Sequence, residues 1–377
     1  MSKRKAFIIG VYFVFPLFLL AACGENWEGN SDSAKPKASG EVGEILLVMD
    51  SALFQGPVGD AVREIFEEDI QGLVRQEEIF NIRRVAPGSM NRLLKRAPNI
   101  VYVTTFDGKT PGSKIINQQF NQKSKEMAQE DPKLFMLRVE NEFAVGQEVL
   151  YLFGNNENQL IKNLQPNKDK IQNFYEVRER TRLEAGILSR KNSAMKVKGM
   201  EKFGIGINVP ASYQFVQEDE NFLWMRQPTP TTNRADISLF YFQTDYDSEQ
   251  QVFPENILKL RDEITRNRIF GDPANRNSYI EIQEQAVPFF RNINVEGHYA
   301  IEIRSQWRTH NLSMGGSFLS YVVVDEKKGK LYYMDGFIYY PNEAHRPALR
   351  EIETILLATE FSSSPAEADK VDTIQSE

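Results

Sequence analysis

The chain has 377 residues, 41% hydrophobic and 26% charged, an ordinary globular composition with room for two domains. Its net charge is −7, and the first segment holds three basic residues, so the chain without that segment carries −10. That sign makes nucleic acid a poor partner, because phosphate contacts dominate such affinity, and it argues against electrostatic docking of the whole chain on anionic lipid.

Lys3-Arg4-Lys5 form a basic start, and Ala6 to Leu20 is mostly apolar. Leu20-Ala21-Ala22-Cys23 then reads as a lipobox: small residues admit the peptidase, and the thiol of the chain's single cysteine receives the lipid. The apolar run is short for a membrane-spanning helix. Residues 1–22 therefore read as a lipoprotein signal peptide, with Cys23 as the lipidation site and the membrane as the partner it reaches. Residues 23–43 are polar, rich in Gly, Ser and Asn, and read as a flexible tether.

Residues 44–198 are expected to form a mixed α/β domain. Glu44 to Met49 has the apolar run of a buried strand, and Pro57 to Ile70 reads as a helix with Val58, Val62, Ile65 and Phe66 on one side. Strands follow at 79–85 and 99–105, a helix at 114–129, a strand pair at 134–140 and 147–153, and a helix from Ile171 to about Arg190. Lys191 to Lys202 is short of large apolar residues and marks the domain boundary.

Residues 199–361 are expected to form an α+β domain, an antiparallel sheet with helices, packed on the first. Phe203-Gly204-Ile205-Gly206 suits a strand and does not fit a dinucleotide fingerprint. Strands are expected at 222–226 and 236–242, a helix at 254–270, and long strands at 295–304, 317–324 and 331–340. Asp325 to Gly329 joins the last two as a hairpin. A closing helix turns Leu349, Ile352, Ile355 and Leu356 inward, and residues 362–377 read as a disordered tail.

The stretch Gln306 to Phe318 lies between two of these long strands, and loops held by a rigid sheet are where binding residues gather. Trp307, Arg308, His310 and the pair Gly315-Gly316 fall in it, and with Asp335 from a neighbouring strand they form the candidate binding surface. The aromatic supplies area and the arginine a directed contact; the alternative is a buried Trp307, an Arg308–Asp335 pair and glycines that let another backbone pass closely.

Met314-Gly315-Gly316-Ser317-Phe318, Asp335-Gly336-Phe337-Ile338-Tyr339-Tyr340-Pro341 and Arg346-Pro347-Ala348-Leu349-Arg350 resemble an uncharacterised family of Bacteroidetes lipoproteins known only as a domain of unknown function. The family pattern has a proline after the glycine pair, where this chain has Ser317, and a basic pair opening the last helix, where it has His345-Arg346. The resemblance implies the cell envelope of a Gram-negative bacterium and implies no activity. The order of elements in the second half is similar to the PsbP-like fold, an analogy of fold alone.

No P-loop, H-E-x-x-H, G-x-S-x-G or S-x-x-K occurs. His298, His310 and His345 are dispersed without metal-ligand spacing, and Asp245-Tyr246-Asp247-Ser248-Glu249 lacks the glycine of a calcium loop and reads as a solvated loop. Neither metal nor cofactor is expected. The reading that follows is a non-enzymatic binding, accessory or assembly factor with an envelope protein or glycan partner. Its rival is a hydrolase of an envelope polymer that uses Glu302 and Asp335 with His310. For the anchor, replacing Cys23 by Ser is expected to abolish lipid labelling and to release the protein from membranes or leave an unprocessed precursor; unchanged processing and attachment would refute the lipobox.

Overall fold

The computed structural model describes residues 35–229 and 234–361. The signal peptide, Cys23, most of the tether and the tail at 362–377 lie outside the described residues. The fold is α+β with two domains.

The first half runs β1 (Glu44–Met49), α1 (Ser51–Gln55), α2 (Pro57–Phe66), β2 (Asn81–Val85), β3 (Asn99–Thr105), α3 (Pro111–Asn117), α4 (Gln122–Glu130), β4 (Met136–Glu140), β5 (Glu148–Gly154), α5 (Glu157–Leu164) and α6 (Lys168–Ile187). Its sheet has the order β2-β1-β3-β5-β4, parallel throughout except for the edge strand β4. Helices cover both faces, which is why β3 and β5 are buried at every position rather than alternating. Ile45 and Leu47 meet α2, α5 and α6 on one face, while Leu46 and Val48 meet Ile116, Phe120 and Ala128 on the other. The expected helix over 114–129 is broken. Phe120 is buried, and Asn121 ends the break by accepting a hydrogen bond from the Ser124 amide, starting α4 afresh.

The second half contains α7 (Ser193–Phe203), β6 (Ile205–Gly206), β7 (Gln214–Asp219), β8 (Phe222–Gln227), β9 (Asp236–Asp245), α8 (Pro254–Arg266), β10 (Ile280–Ile282), β11 (Phe289–Val295), β12 (His298–Thr309), β13 (Gly315–Asp325), β14 (Lys330–Tyr339), α9 (Arg346–Leu357) and β15 (Glu360–Phe361). Its eight-stranded sheet has the order β10-β12-β13-β14-β9-β8-β7, with β11 also beside β12, and these pairings are antiparallel. The Lys-rich stretch expected at the boundary is mostly α7, with Met195 and Phe203 in the core of this half. The strand expected at 295–304 is present as β12, but it begins only at His298 and is preceded by a hairpin turn. Glu296 (φ 47°) and Gly297 (φ 86°) turn β11 back onto β12.

Alternation along the strands gives the sheet two buried faces. Phe240, Ile303, Trp307, Phe318, Val322 and Tyr333 face α8, which contributes Ile257 and Ile264. Leu239, Tyr241, Leu319, Tyr321, Val323 and Met334 face α9, with Leu349, Ile352, Ile355 and Leu356.

The halves join through the segment between α2 and β2. Ile70 and Leu73 belong to the core of the second half. Gly72 lies at φ 86°, where a Cβ would stand 2.7 Å from the Arg304 carbonyl, so the chain presses on β12 closely enough to require glycine. Gln306 Nε2 donates to Leu73 O at 2.8 Å, and the Val74 amide donates to Ser317 Oγ at 3.1 Å. The Glu77 carboxylate takes the backbone amides of His345 at 2.7 Å and Arg346 at 2.8 Å. Helix α9 has no side-chain cap of its own, so a carboxylate from the other half satisfies two of its orphan donors and meets the positive end of its dipole. Arg346 and Arg350 complete the junction on the carbonyls of Glu78 (2.8 Å) and Ile79 (2.6 Å).

His345 sits inside this junction. Its Nδ1 lies 3.0 Å from Ser317 Oγ and its Nε2 lies 3.1 Å from Tyr340 O. A neutral ring that donates from Nε2 to the carbonyl and accepts the Ser317 hydroxyl at Nδ1 satisfies both contacts. Burial pushes the imidazole below its ordinary value, against smaller opposing effects of the Tyr340 carbonyl and Glu77.

Two outcomes are expected. Glu77→Ala should cost about 1–3 kcal/mol in urea unfolding, the range for a lost charge-assisted hydrogen-bond partner. Because the folded imidazole holds its proton less tightly than the unfolded one, the stability that His345 contributes is full above about pH 6.5 and falls as pH drops below it. The difference between stability–pH curves of the parent and His345→Gln isolates this; parallel curves would refute it.

Candidate functional site

The residues singled out in the sequence are mostly strand residues. β12 and β13 continue to Thr309 and from Gly315, so the connecting loop is only His310 to Met314. Trp307 stands opposite Gly316, and Arg308 opposite Gly315.

Trp307 is 2% exposed, which overturns its role as a surface aromatic. Its indole Nε1 donates to Ile338 O on β14 at 3.0 Å, and the ring meets Phe337 edge-on at 5.4 Å. To reach β14 it crosses Gly316, where a Cβ would lie 1.9 Å from the same Ile338 oxygen. Gly316 clears the path for the indole, and a Cβ at Gly315 would lie 2.8 Å from Trp307 O.

Asp335 is 0% exposed and takes no part in a surface, nor does it pair with Arg308, from which β13 separates it. Its partner is Arg261 of α8, whose Nε donates to Oδ2 at 2.8 Å and whose Nη2 donates to Oδ1 at 3.4 Å, while Ser320 Oγ donates at 2.5 Å. The guanidinium also lies 3.7 Å above the Phe318 ring. Burial raises the Asp335 carboxyl above its ordinary value, with Arg261 and Ser320 acting the other way. Such a pair is costly to break from one side, by about 3–5 kcal/mol.

Arg308 and His310 converge instead on Glu281 of β10. Arg308 Nη2 lies 2.9 Å from Glu281 Oε1, His310 Nδ1 lies 3.2 Å from the same oxygen, and Arg266 Nη2 lies 3.7 Å from Oε2. His310 stacks on Tyr279 at 4.6 Å. Beside this group is an open depression of about 390 Å³ whose rim includes Val74, Gln283, Gln306, Leu312 and Met314. Of the predicted surface, then, Arg308, His310 and the glycine backbone edge one concavity, and Trp307 supports it from beneath.

The hydrolase set does not assemble. Glu302 stands opposite Tyr321, and Asp335 opposite the adjacent Ser320, so the two carboxylates leave the sheet on opposite faces. Glu302 is 3% exposed and held by Arg291 at 2.6 Å and Arg304 at 2.7 Å. His310 reaches neither carboxylate and instead contacts Glu281. In the acidic loop, Asp245 pairs with Lys330 at 2.5 Å. Among the described residues no group of three His, Cys, Asp or Glu side chains is placed to hold a metal ion, and no helix is long and apolar enough to cross a membrane.

Sequence reasoning missed Glu281 and Arg261. Arg261 had a signal, since it sits four residues after Ile257 and three before Ile264, on the apolar stripe of α8. An arginine there demands a buried acid.

These assignments predict distinct mutant behaviour. Trp307→Ala should cost about 3–5 kcal/mol, and Gly316→Ala should also destabilise clearly, since Ile338 cannot yield. Arg308→Ala, which removes a part-exposed pair, should stay within about 1 kcal/mol in thermal or urea unfolding.

The comparisons place no activity on this site. No curated relative matches the chain. Among solved structures, a chain from Bacteroides thetaiotaomicron VPI-5482 is similar at 8% identity and a TM-score of 0.25, over 42% of this chain and 46% of that one, under half its length. A mutant of the protein Mog1 is similar at 7% identity and a TM-score of 0.26, over 41% of this chain and 85% of that one. The human StarD13 (DLC2) lipid transfer and protein localization domain gives 10% identity and a TM-score of 0.16, over 43% and 93%. Scores of this size carry no inference. Residues 38–187 match a family model described as a domain of unknown function, DUF8532, and residues 191–358 match another, DUF4837, each over less than half of the chain.

Proposed function

We propose that the protein is a lipid-anchored envelope lipoprotein that acts as a binding, accessory or assembly factor without catalysis of its own. One observation carries the choice over a hydrolase. The carboxylates that could have served as a catalytic pair lie on opposite faces of the sheet, each already neutralised by arginine. The accessible concavity offers Arg308, His310, Gln283 and Gln306 around apolar Leu312 and Met314, the mixture of directed polar contacts and apolar area that suits a partner surface. The lipobox supports the membrane as the place of action, and the resemblance to Bacteroidetes lipoproteins supports a Gram-negative envelope. The PsbP-like analogy adds nothing on the partner, which is an envelope protein or glycan.

The test is crosslinking in native membranes with a photoreactive residue in place of Leu312, followed by purification. Capture of one envelope component is expected, and it should be lost in Arg308→Ala with His310→Ala. Thermal unfolding of the doubly substituted chain, measured alongside, separates loss of capture from loss of fold, because Glu281 then keeps only Arg266 at 3.7 Å. Capture that survives both substitutions would remove this surface from the interface.

A further inference from the structure

On the reading that Cys23 carries the lipid, we propose that the turn Asn91 to Arg96 is the part of the fold that meets the bilayer, seating Leu93 among anionic headgroups. Leu93 is 73% exposed, and among the large apolar side chains described only Val287, at 85%, is more so. A single exposed leucine is ordinary on a surface. Three further observations set this one apart.

The first is rigidity. Asn91 Oδ1 accepts from the amides of Leu93 at 2.9 Å and Leu94 at 3.0 Å, and the Arg96 amide closes on Leu93 O at 3.0 Å. Leu94 packs inward against the first-half core, while Gln147 Nε2 holds the carbonyls of Lys95 and Ala97. Leu93 is thus presented outward on a fixed tip, so little ordering entropy opposes its insertion.

The second is charge. Arg92, Lys95 and Arg96 lie within three residues of Leu93, and the Lys37 carbonyl is held by Arg96 at 3.4 Å, while the Lys35 ammonium is turned onto Asn141 O at 2.7 Å. A carboxylate that Lys95 faces is Glu142, which takes the Tyr151 hydroxyl at 2.8 Å. The net charge of the chain is acidic, but headgroups act over about a Debye length of roughly 8–10 Å, so the local excess of cations decides the sign at the tip.

The third is the point at which the chain joins the fold. Residues 37 and 38 lie beside the connection between β4 and β5, with Lys37 bridged to Val145 and the Ala38 amide on Val145 O at 2.9 Å. The Ser39 amide then donates to Arg96 O at 2.8 Å, and Arg96 Nη2 donates back to Lys37 O at 3.4 Å. The segment leading from the anchor is therefore bonded to the very turn that carries Leu93. Lys35 is twelve residues beyond Cys23, a separation that spans no more than about 40 Å fully extended. The tip is therefore beside the point where the anchored segment enters the fold. An apolar side chain collared by cations is the chemistry of interfacial binding.

The experiment uses the full lipidated chain, whose only native cysteine is Cys23. Leu93→Cys and, as comparator, Val287→Cys are labelled with an environment-sensitive fluorophore and reconstituted into vesicles of phosphatidylethanolamine and phosphatidylglycerol bearing a headgroup quencher. The label at position 93 is expected to be quenched about threefold more than that at position 287, and less so in vesicles without phosphatidylglycerol. Equal quenching at both positions, or shielding of position 93 only in native membranes and never in protein-free vesicles, overturns the bilayer as occupant; the second result points to a protein. Labelling of Cys23 in the parent chain overturns the anchoring reading, and the tip with it. An unlabelled parent with no quenching at position 93 overturns the tip alone.

Discussion

The structure depends on a carboxylate that crosses from one half to cap a helix in the other. Helix α9 lies on the sheet of the second half and begins without a side-chain cap, and Glu77 supplies one from the first half. The amides at a helix start must find acceptors, and a charged acceptor there is worth more than a neutral one. Around that contact Ile70 and Leu73 enter the second core, and Gly72 allows the approach. The halves are separate in topology, one parallel and one antiparallel, yet the core of the second is completed by residues of the first. A fragment consisting of the second half alone would begin life with an uncapped closing helix and an open edge to its core.

The second organising feature is the treatment of charge inside the antiparallel sheet. Asp335 under α8 and Glu302 under α9 are each held by arginine, on opposite faces. Buried pairs of this kind add little net stability over apolar packing but penalise any arrangement that separates them. Asp335 ties α8 to the middle of the sheet, so that helix has one register in which Arg261 is satisfied. The same arrangement removes both carboxylates from chemistry and leaves the accessible polar groups at the His310 to Met314 loop, above the buried Trp307.

Local pattern made much of the fold legible. The apolar runs at β1, β3 and β5, the Pro-led helices α2, α8 and α9, and the Asp325–Lys330 hairpin were all visible in residue type and spacing. The short-range misses have local causes. Asn121 restarts a helix that looks continuous in sequence, and the Glu296-Gly297 turn falls at the start of the stretch that reads as one strand. The longer-range misses have a different cause. Nothing near Glu77 in sequence shows that its partners are 268 and 269 residues away, and the alternative Arg308–Asp335 pair supposes adjacent strands where β13 lies between them. The glycine pair illustrates the limit well. Its neighbour Trp307 was recognised, but only the crossing of the indole to Ile338 explains why the position must be glycine.

Trp224 and Trp307, the tryptophans within the described fold, both belong to the antiparallel sheet, one on β8 and one on β12. The first half contributes tyrosine and phenylalanine clusters but no indole. Indole emission from the folded part of the molecule is therefore a reporter of one half, whereas far-ultraviolet dichroism sees the helices of both. Overlaying the two signals during unfolding turns an accident of residue placement into a gauge of cooperativity. Coincident curves mean that the junction at Glu77 transmits collapse across the molecule, and separated curves measure how much of the parallel sheet outlives its neighbour.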